Sequence, residues 1–465
     1  MVENTPSQLL TLLLDGSPLK PVQRWLWVLS IGGTLLDGFV IFVLGVAMPL
    51  IIADFRLTPD LVGLVGASLV FGAVFGAGLG GPMADHFGRK KLMLADMLII
   101  GLGAAISSLA PGFAMLFIGQ LLVGVGVGID FPASGSYISE VSPKRSRARM
   151  MVATIACQSV GMLLAAVIAL VLLKNAHTLQ AWRVFLAAEG VIALFFFLLR
   201  LSEPDSPHWL VIRGRFSEAA QAFIRIMPEQ REAVEQITCD AQIQKDANAI
   251  SRAKPGVAIL FSGAYRARTA LVAVPWFLMD VATYGVGLFT PIILGAINGS
   301  GRGSDLIAND FVDARGTSAI DLFLFLGFLL GIWAVPKFGR IRMQAIGFAG
   351  MAAGMVLLMV AIQLSDRSLH IPLVFAGFVV FNLLMNAGPN STTFTLAPIL
   401  FPTQLRATAS GFAAGVAKMG ATLGVFVLPI VKDKFGVPAV LGMMAVVGVL
   451  GLIITLTFGH EDKEG

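Results

Sequence analysis

The stretch 276–285 reads WFLMDVATYG and places a carboxylate inside a long apolar run. Trp276, Asp280 and Tyr284 recur every four residues, so a helix stacks them on one face: an indole, an acid and a phenol. Such a face is a ligand wall, with an aromatic floor, an acceptor and a donor. Three more ionisable side chains lie deep in apolar runs: Asp37 in TLLDGFVIF, Asp130 in VGIDFPAS and Lys418 in GVAKMGA. At membrane depth each costs several kcal/mol, which makes each a candidate for function. Lys418 is suited to offset an anion's charge, or to pair with Asp280 when the site is empty. Asp96, Glu189 and Asp321 fall nearer the ends of their runs, where water reaches them, and read as structural or interfacial.

The elements that must hold these groups follow from composition. Of 465 residues 56% are hydrophobic and 13% charged, against roughly 25% charged in a soluble protein. About twelve continuous apolar runs are each long enough to span a bilayer as a helix. Continuous runs exclude the alternating strands of an outer-membrane barrel. The 51 glycines suit closely packed membrane helices. The expected fold is all-α: twelve transmembrane helices in two six-helix bundles. Residues 1–201 form the N-terminal tail and first bundle, 202–266 a central loop with short helices, and 267–465 the second bundle and tail.

The net charge of +5 has a topological explanation rather than a nucleic-acid one. With both termini in the cytoplasm, about 24 Lys and Arg fall inside and about 8 outside, the positive-inside pattern. HFGRKK, PKRSRAR and RGR all lie on the inner side. No cleavable leader precedes the first run, and two cysteines give no disulfide framework. No phosphate-binding GxxxxGK[ST] loop and no HExxH or Cys-rich metal spacing occurs. A primary pump, a metal site and an enzyme are therefore not expected.

The loop GPMADHFGRKK (81–91) has an echo in VPKFGRIR (335–342), roughly 250 residues later, as in carriers built from parallel repeats. It resembles the signature loop of the major facilitator superfamily. The resemblance implies a gate in which Asp85, Gly88 and Arg89 latch the cytoplasmic side, with Arg340 as the second-half counterpart. In that half Pro336 stands where the acid would be. GQLLVGVGVGIDFPASGSYISEVSPKRSRAR (119–149) is similar to the fourth span of sugar and phosphate porters. SEPDSPHWL resembles their Pro-Glu-Ser-Pro-Arg motif, with Asp205 and His208 in place of the acid and the base.

The second half resembles most the phosphate:proton symporter family, through WFLMDVATYGVGLFTPIIL, FGRIRMQAIGFAGM and NAGPNSTTFTLAPILFPTQLRATASGFAAGVAKMGA. This implies a ligand held by Trp276, Asp280, Tyr284, Gln158, Phe131, Lys418 and one of Asn386 or Asn390, with Asp37, Asp130 and Asp280 handling protons. Phe131 stands where that family has Tyr, Val40 replaces a second aspartate, and Ser159 replaces a glycine. A site short of one hydroxyl suits a ligand with one acceptor fewer.

The function implied is proton-coupled symport of a small anion, inorganic phosphate first, by alternating access. The proton gradient drives it and no cofactor is needed. A small organic carboxylate, polyol or sugar is the alternative cargo, and a nutrient sensor with little turnover the second alternative. The expected partners are an anionic small molecule, protons and the bilayer. The chain is expected to be a monomer in an inner or plasma membrane.

Overall fold

The computed structural model describes residues 6–174, 178–247, 257–297, 306–363, 367–402 and 404–459. Residues 6, 7, 59, 240–247, 285–297, 306–321, 367–371, 429, 432 and 433 are described in backbone only. Among the described residues the structure is helical throughout, as a bilayer demands when each backbone N–H and C=O must be bonded within its own segment. The first bundle comprises Gly32–Phe55, led in by Pro21–Ser30, then Pro59–Phe87, Arg89–Ser108, Phe113–Val141, Lys144–Lys174 and Ala181–Arg200. The second comprises Arg266–Ile297, Leu306–Phe338, Arg340–Gln363, a tenth span from Arg367 to Leu400, and Arg406–Phe458. That last helix is two spans, broken at Gly436 with φ +80°. Among the described residues ten stretches are long and apolar enough to cross a membrane. Arg266–Ile297 and Leu306–Phe338, of 32 and 33 residues, bring the spans to twelve.

Small residues set how closely these helices approach. A Cβ added at Gly124 of the fourth span would lie 1.9 Å from the Leu69 carbonyl of the second. Between the bundles, a Cβ on Gly81 would lie 2.4 Å from the Ala407 carbonyl, so the second and eleventh spans cross nearly backbone to backbone. The fifth and eighth spans also pack together, closing the other side of the interface.

One face of the bundle carries a separate small core, here termed the tail face. Pro6–Asp15, Pro207–Ile212, Phe216–Ile226 and Arg231–Ala247 bury Leu10, Leu14, Trp209, Leu210, Phe223 and Ile226 against the ends of the spans. The Asp15 carboxylate accepts from Arg147 at 2.5 Å, and Lys20 pairs with Glu229. His208 is 3% exposed, its Nε2 lies 2.9 Å from Thr11 Oγ1, and its ring meets Phe223 edge-on at 5.2 Å. It is thus a packing residue of the small core.

Burial holds the His208 imidazole down to about 4 from its usual 6.5. Between those values the unfolded chain binds a proton that the folded chain refuses, so folding stability falls as pH drops through this window. The loss reaches about 3 kcal/mol at its lower end. Thermal melting of the purified protein across this window is expected to show a shallower slope for His208→Gln than for the parent. Equal slopes reject the assignment.

Candidate functional site

The seventh span sets buried Trp276 and Asp280 and half-buried Tyr284 on one face toward the interior, as the spacing requires. Facing them is Lys418 of the eleventh span. Its stretch is rich in small residues, and a Cβ at Gly420 would meet the Phe277 carbonyl at 2.3 Å, so the two helices touch. Lys418 Nζ bonds the Tyr284 hydroxyl, lies 3.8 Å from Asp37 Oδ2 and 4.0 Å from Asp280 Oδ2. It also sits 4.8 Å above the Phe131 ring and 4.6 Å from that of Tyr284. Gln158 Nε2 donates to Asp37 Oδ2 at 2.6 Å. Asp280 Oδ2 has no hydrogen-bond partner among the described residues. One ammonium therefore serves two buried carboxylates.

A small cavity lies against this group, lined by Phe131, Ile155 and Gln158 of the first bundle and by Trp276, Met279, Asp280, Thr283, Tyr284, Asn390 and Lys418 of the second. Phe131 and Trp276 form its aromatic wall, and their rings meet each other and that of Phe394 near edge-on at 6.0–6.4 Å. The tenth span loosens to a π-turn over Asn386–Asn390, at a run containing Gly388 and Pro389. That turn answers which asparagine faces inward. Asn390 lines the cavity, its Nδ2 donating to Asn386 Oδ1 at 2.8 Å, while Asn386 in turn donates to the Asn382 carbonyl at 2.7 Å. A second, smaller cavity is lined by Asp37, Ile41, Leu69, Val70, Val127, Tyr284 and Lys418 among others.

Asp130 does not line either cavity but belongs to a separate buried group. Arg200, wholly buried at the end of the sixth span, donates from Nη2 to Asp130 Oδ1 at 2.7 Å. Its Nη1 reaches both oxygens of Asp96 at 3.0 and 3.1 Å, and its remaining bonds go to the carbonyls of Leu29, Ser30 and Met93. Asp96 is therefore sealed from water, contrary to the expectation from its place near a span end. Glu189 is likewise 0% exposed, and neither oxygen finds a hydrogen-bond partner among the described residues. The side chain of Asp321 lies outside the described residues. Glu203, just past the sixth span, accepts from Ser30 Oγ at 2.8 Å, and burial lifts its carboxyl to about 7.

At the tail face the loop motif forms a compact charge group. Asp85 Oδ1 accepts from Arg89 at 2.9 Å, and Oδ2 accepts from the Thr408 amide at 2.9 Å and hydroxyl at 2.7 Å, across the two bundles. Arg89 also reaches Glu140 at 3.1 Å, and Glu140 faces Arg406 at 3.5 Å and Ser206 Oγ at 2.5 Å. Gly88 turns with φ +104°, and a Cβ there would strike Asp205 Oδ2 at 2.4 Å. Asp205 caps the third span, accepting from the Arg89 amide at 3.1 Å. Gly339 repeats the positive φ at +91° directly before Arg340, so the second-half echo is conformational as well as sequential. Sequence reasoning missed Glu140, Arg200, Arg406 and Thr408. Arg200 closes an apolar run as an ordinary interfacial arginine would, and only the unmatched Asp96 and Asp130 hinted at a buried cation.

The family model described as Sugar (and other) transporter matches residues 25–464. Among the relatives, the putative metabolite transport protein YaaU of Escherichia coli is 26% identical over 97% of this chain and 94% of its own length. The arabinose-proton symporter of Bacillus subtilis is 27% identical over 100% and 97%. Among solved structures, the proton:xylose symporter XylE bound to 6-bromo-6-deoxy-D-glucose superposes with a TM-score of 0.77 at 20% identity, covering 94% of this chain and 95% of that one. That likeness is one of fold.

The Asp85–Thr408 contacts bridge the two bundles at the tail face, and hydrogen bonds to a charged group contribute about 1.5–3 kcal/mol each. A cysteine placed at Ala407, buried in this crossing, is expected to react slowly with an impermeant maleimide. Adding Asp85→Ala is expected to speed labelling about tenfold. Unchanged labelling means the bundles are closed by something else.

Proposed function

The chain belongs to the sugar (and other) transporter family of the major facilitator superfamily, and from that premise we propose that it is a proton-coupled symporter of a small polyhydroxy solute, a sugar or polyol. The observation that carries the reading is the cavity between the bundles, where two carboxylates share one ammonium. One carboxyl is in excess of the available positive charge, so the site holds a place for a transported proton. Asp37 and Asp280 are the proton-handling candidates. Asp130, clamped by Arg200, acts as a structural partner at the rim of that machinery.

Phosphate is the first expectation because the second half resembles the phosphate:proton symporter family, with Lys418 to offset the anion or to pair with Asp280. In the structure the charge of Lys418 is taken up by Asp37 and Asp280, leaving a site of net negative charge when both are ionised. An anion brought there meets repulsion of about 4 kcal/mol per contact charge at an effective dielectric of 20. A polyol meets none. Its hydroxyls donate to Asp280 and accept from Gln158 and Asn390, and its C–H face lies on Trp276 and Phe131. The absence of a phenol at Phe131 fits an apolar sugar face, and a relative named for arabinose points the same way. A small organic carboxylate is the second reading, favoured by Lys418 beside the aromatic wall once Asp37 is protonated.

The tail face is the cytoplasmic one in this reading, with both termini there, in an inner or plasma membrane. Asp85, Gly88, Arg89, Glu140 and Thr408 form its gate, Arg340 being the second-half member. Asn386 supports Asn390 from behind.

Proteoliposome uptake tests the reading with D-xylose, L-arabinose, myo-inositol, 4-hydroxybenzoate and phosphate, each with and without an inward proton gradient. Accumulation of a sugar or polyol only under the gradient is expected. Phosphate alone accumulating overturns the cargo, and binding without flux indicates a sensor. Asp37→Asn is expected to abolish gradient-driven accumulation while sugar exchange persists. Accumulation at the parent rate removes Asp37 from proton coupling.

A further inference from the structure

The two cavities flanking Lys418 differ in kind. One holds Asp280, the amides of Gln158 and Asn390, and the aromatic wall. The other is aliphatic, with Ile41, Leu69, Val70 and Val127, and its polar end consists of Asp37, Tyr284 and Lys418. Asp37 lines only the aliphatic cavity, Asp280 only the polar one, and Lys418 and Tyr284 line both. The Lys418–Tyr284 pair is thus a partition with one carboxylate on each side.

Neither carboxylate has captured the ammonium. Charge-assisted N–H···O bonds are about 2.7–2.9 Å long, and Nζ stands 3.8 Å from Asp37 and 4.0 Å from Asp280. A shift of about 1 Å either way completes one bond at the expense of the other. Asp37 itself is fixed: Gln158 holds its Oδ2, and at the next residue a Cβ on Gly38 would lie 1.8 Å from the Gln158 carbonyl. Lys418, on a flexible four-carbon stem, is the member free to move.

We infer that Lys418 is the coupling switch and that it passes from Asp37 to Asp280 when Asp37 takes a proton. This rests on the symporter reading above. The step balances simply: a hydronium ion gives its proton to a carboxylate oxygen of Asp37, an O–H bond forms, water departs, and the triad goes from net −1 to neutral. The freed ammonium moves to Asp280 and sets its N–H donors beside that acceptor, facing the solute's hydroxyls. Loss of the proton draws the ammonium back and withdraws those donors. The charged and titratable groups facing Asp37 are Lys418, Tyr284, Asp280 and, through the bundle, Asp130, which Arg200 neutralises.

Exchange of D-xylose, L-arabinose and myo-inositol in proteoliposomes, at mildly acidic and mildly alkaline pH, tests the switch. In the parent the apparent affinity is expected to fall about fivefold or more on going alkaline, the usual size of a coupling between sites. In Lys418→Met, which also loses a donor to the solute, the apparent affinity is expected to be lower throughout and no longer to depend on pH. Should Lys418→Met fold poorly because it strands two carboxylates, the double variant Asp37→Asn with Lys418→Met removes one of them, and the same flat profile is expected. If the parent exchanges none of the three solutes, the sugar or polyol reading falls and the switch argued on it falls too. If the parent exchanges one of them and either Lys418 variant keeps the parent's pH dependence, the switch alone is overturned.

Discussion

A charge carried to membrane depth must be matched there, and this constraint organises the protein. Three buried cations each hold two acids: Arg89 with Asp85 and Glu140, Arg200 with Asp96 and Asp130, Lys418 with Asp37 and Asp280. Removing one member of such a group leaves an uncompensated buried charge, costing about 3–5 kcal/mol. The three groups differ in tightness. The arginine forks bond their acids directly at 2.7–3.1 Å, whereas Lys418 bonds neither acid. The tight groups lie where spans end and fix the geometry of the first bundle and the closed tail face. The loose one lies between the bundles, where a carrier needs groups that change partners.

Small residues make the arrangement possible. Close crossing of the second and eleventh spans at Gly81 and Ala407 brings the Thr408 amide within reach of Asp85, so the contact between the bundles is made partly of backbone. Close contact of the seventh and eleventh spans at Gly420 sets Lys418 against Tyr284. In both places side-chain chemistry depends on a glycine that lets two helix axes approach, the usual solution where lipid removes any hydrophobic drive between helices.

Much of this was legible in the sequence because membrane helices obey simple rules. Twelve apolar runs, their echo and the four-residue spacing of Trp276, Asp280 and Tyr284 needed no structure. The partnerships did not follow in the same way. Asp37 and Gln158, 121 positions apart, meet only after the first and fifth spans pack, and Asp96 met Arg200 across 104 positions. Position along a run misjudged Asp96, since depth along the chain axis says nothing about which face a helix turns to its neighbours. Glu140 escaped notice because a glutamate beside a basic loop reads as a solvated charge. The π-turn that brings Asn390 to the cavity departs from helical spacing, so periodicity could not have chosen it over Asn386.

The identity of the cation at position 418 carries the last step. An arginine presents five donors in a rigid planar fork suited to holding two carboxylates at once, as Arg200 does with Asp96 and Asp130. Such a clamp would hold Asp37 and Asp280 together and leave neither available to proton or solute. A lysine offers a compact charge at the end of a flexible stem. Between two acids it completes a short bond with only one at a time, at the separations seen here. The chain uses the fork where rigidity is wanted and the single ammonium where exchange is wanted. On this view the loose contacts around Lys418 are the property that allows proton and solute to bind in turn.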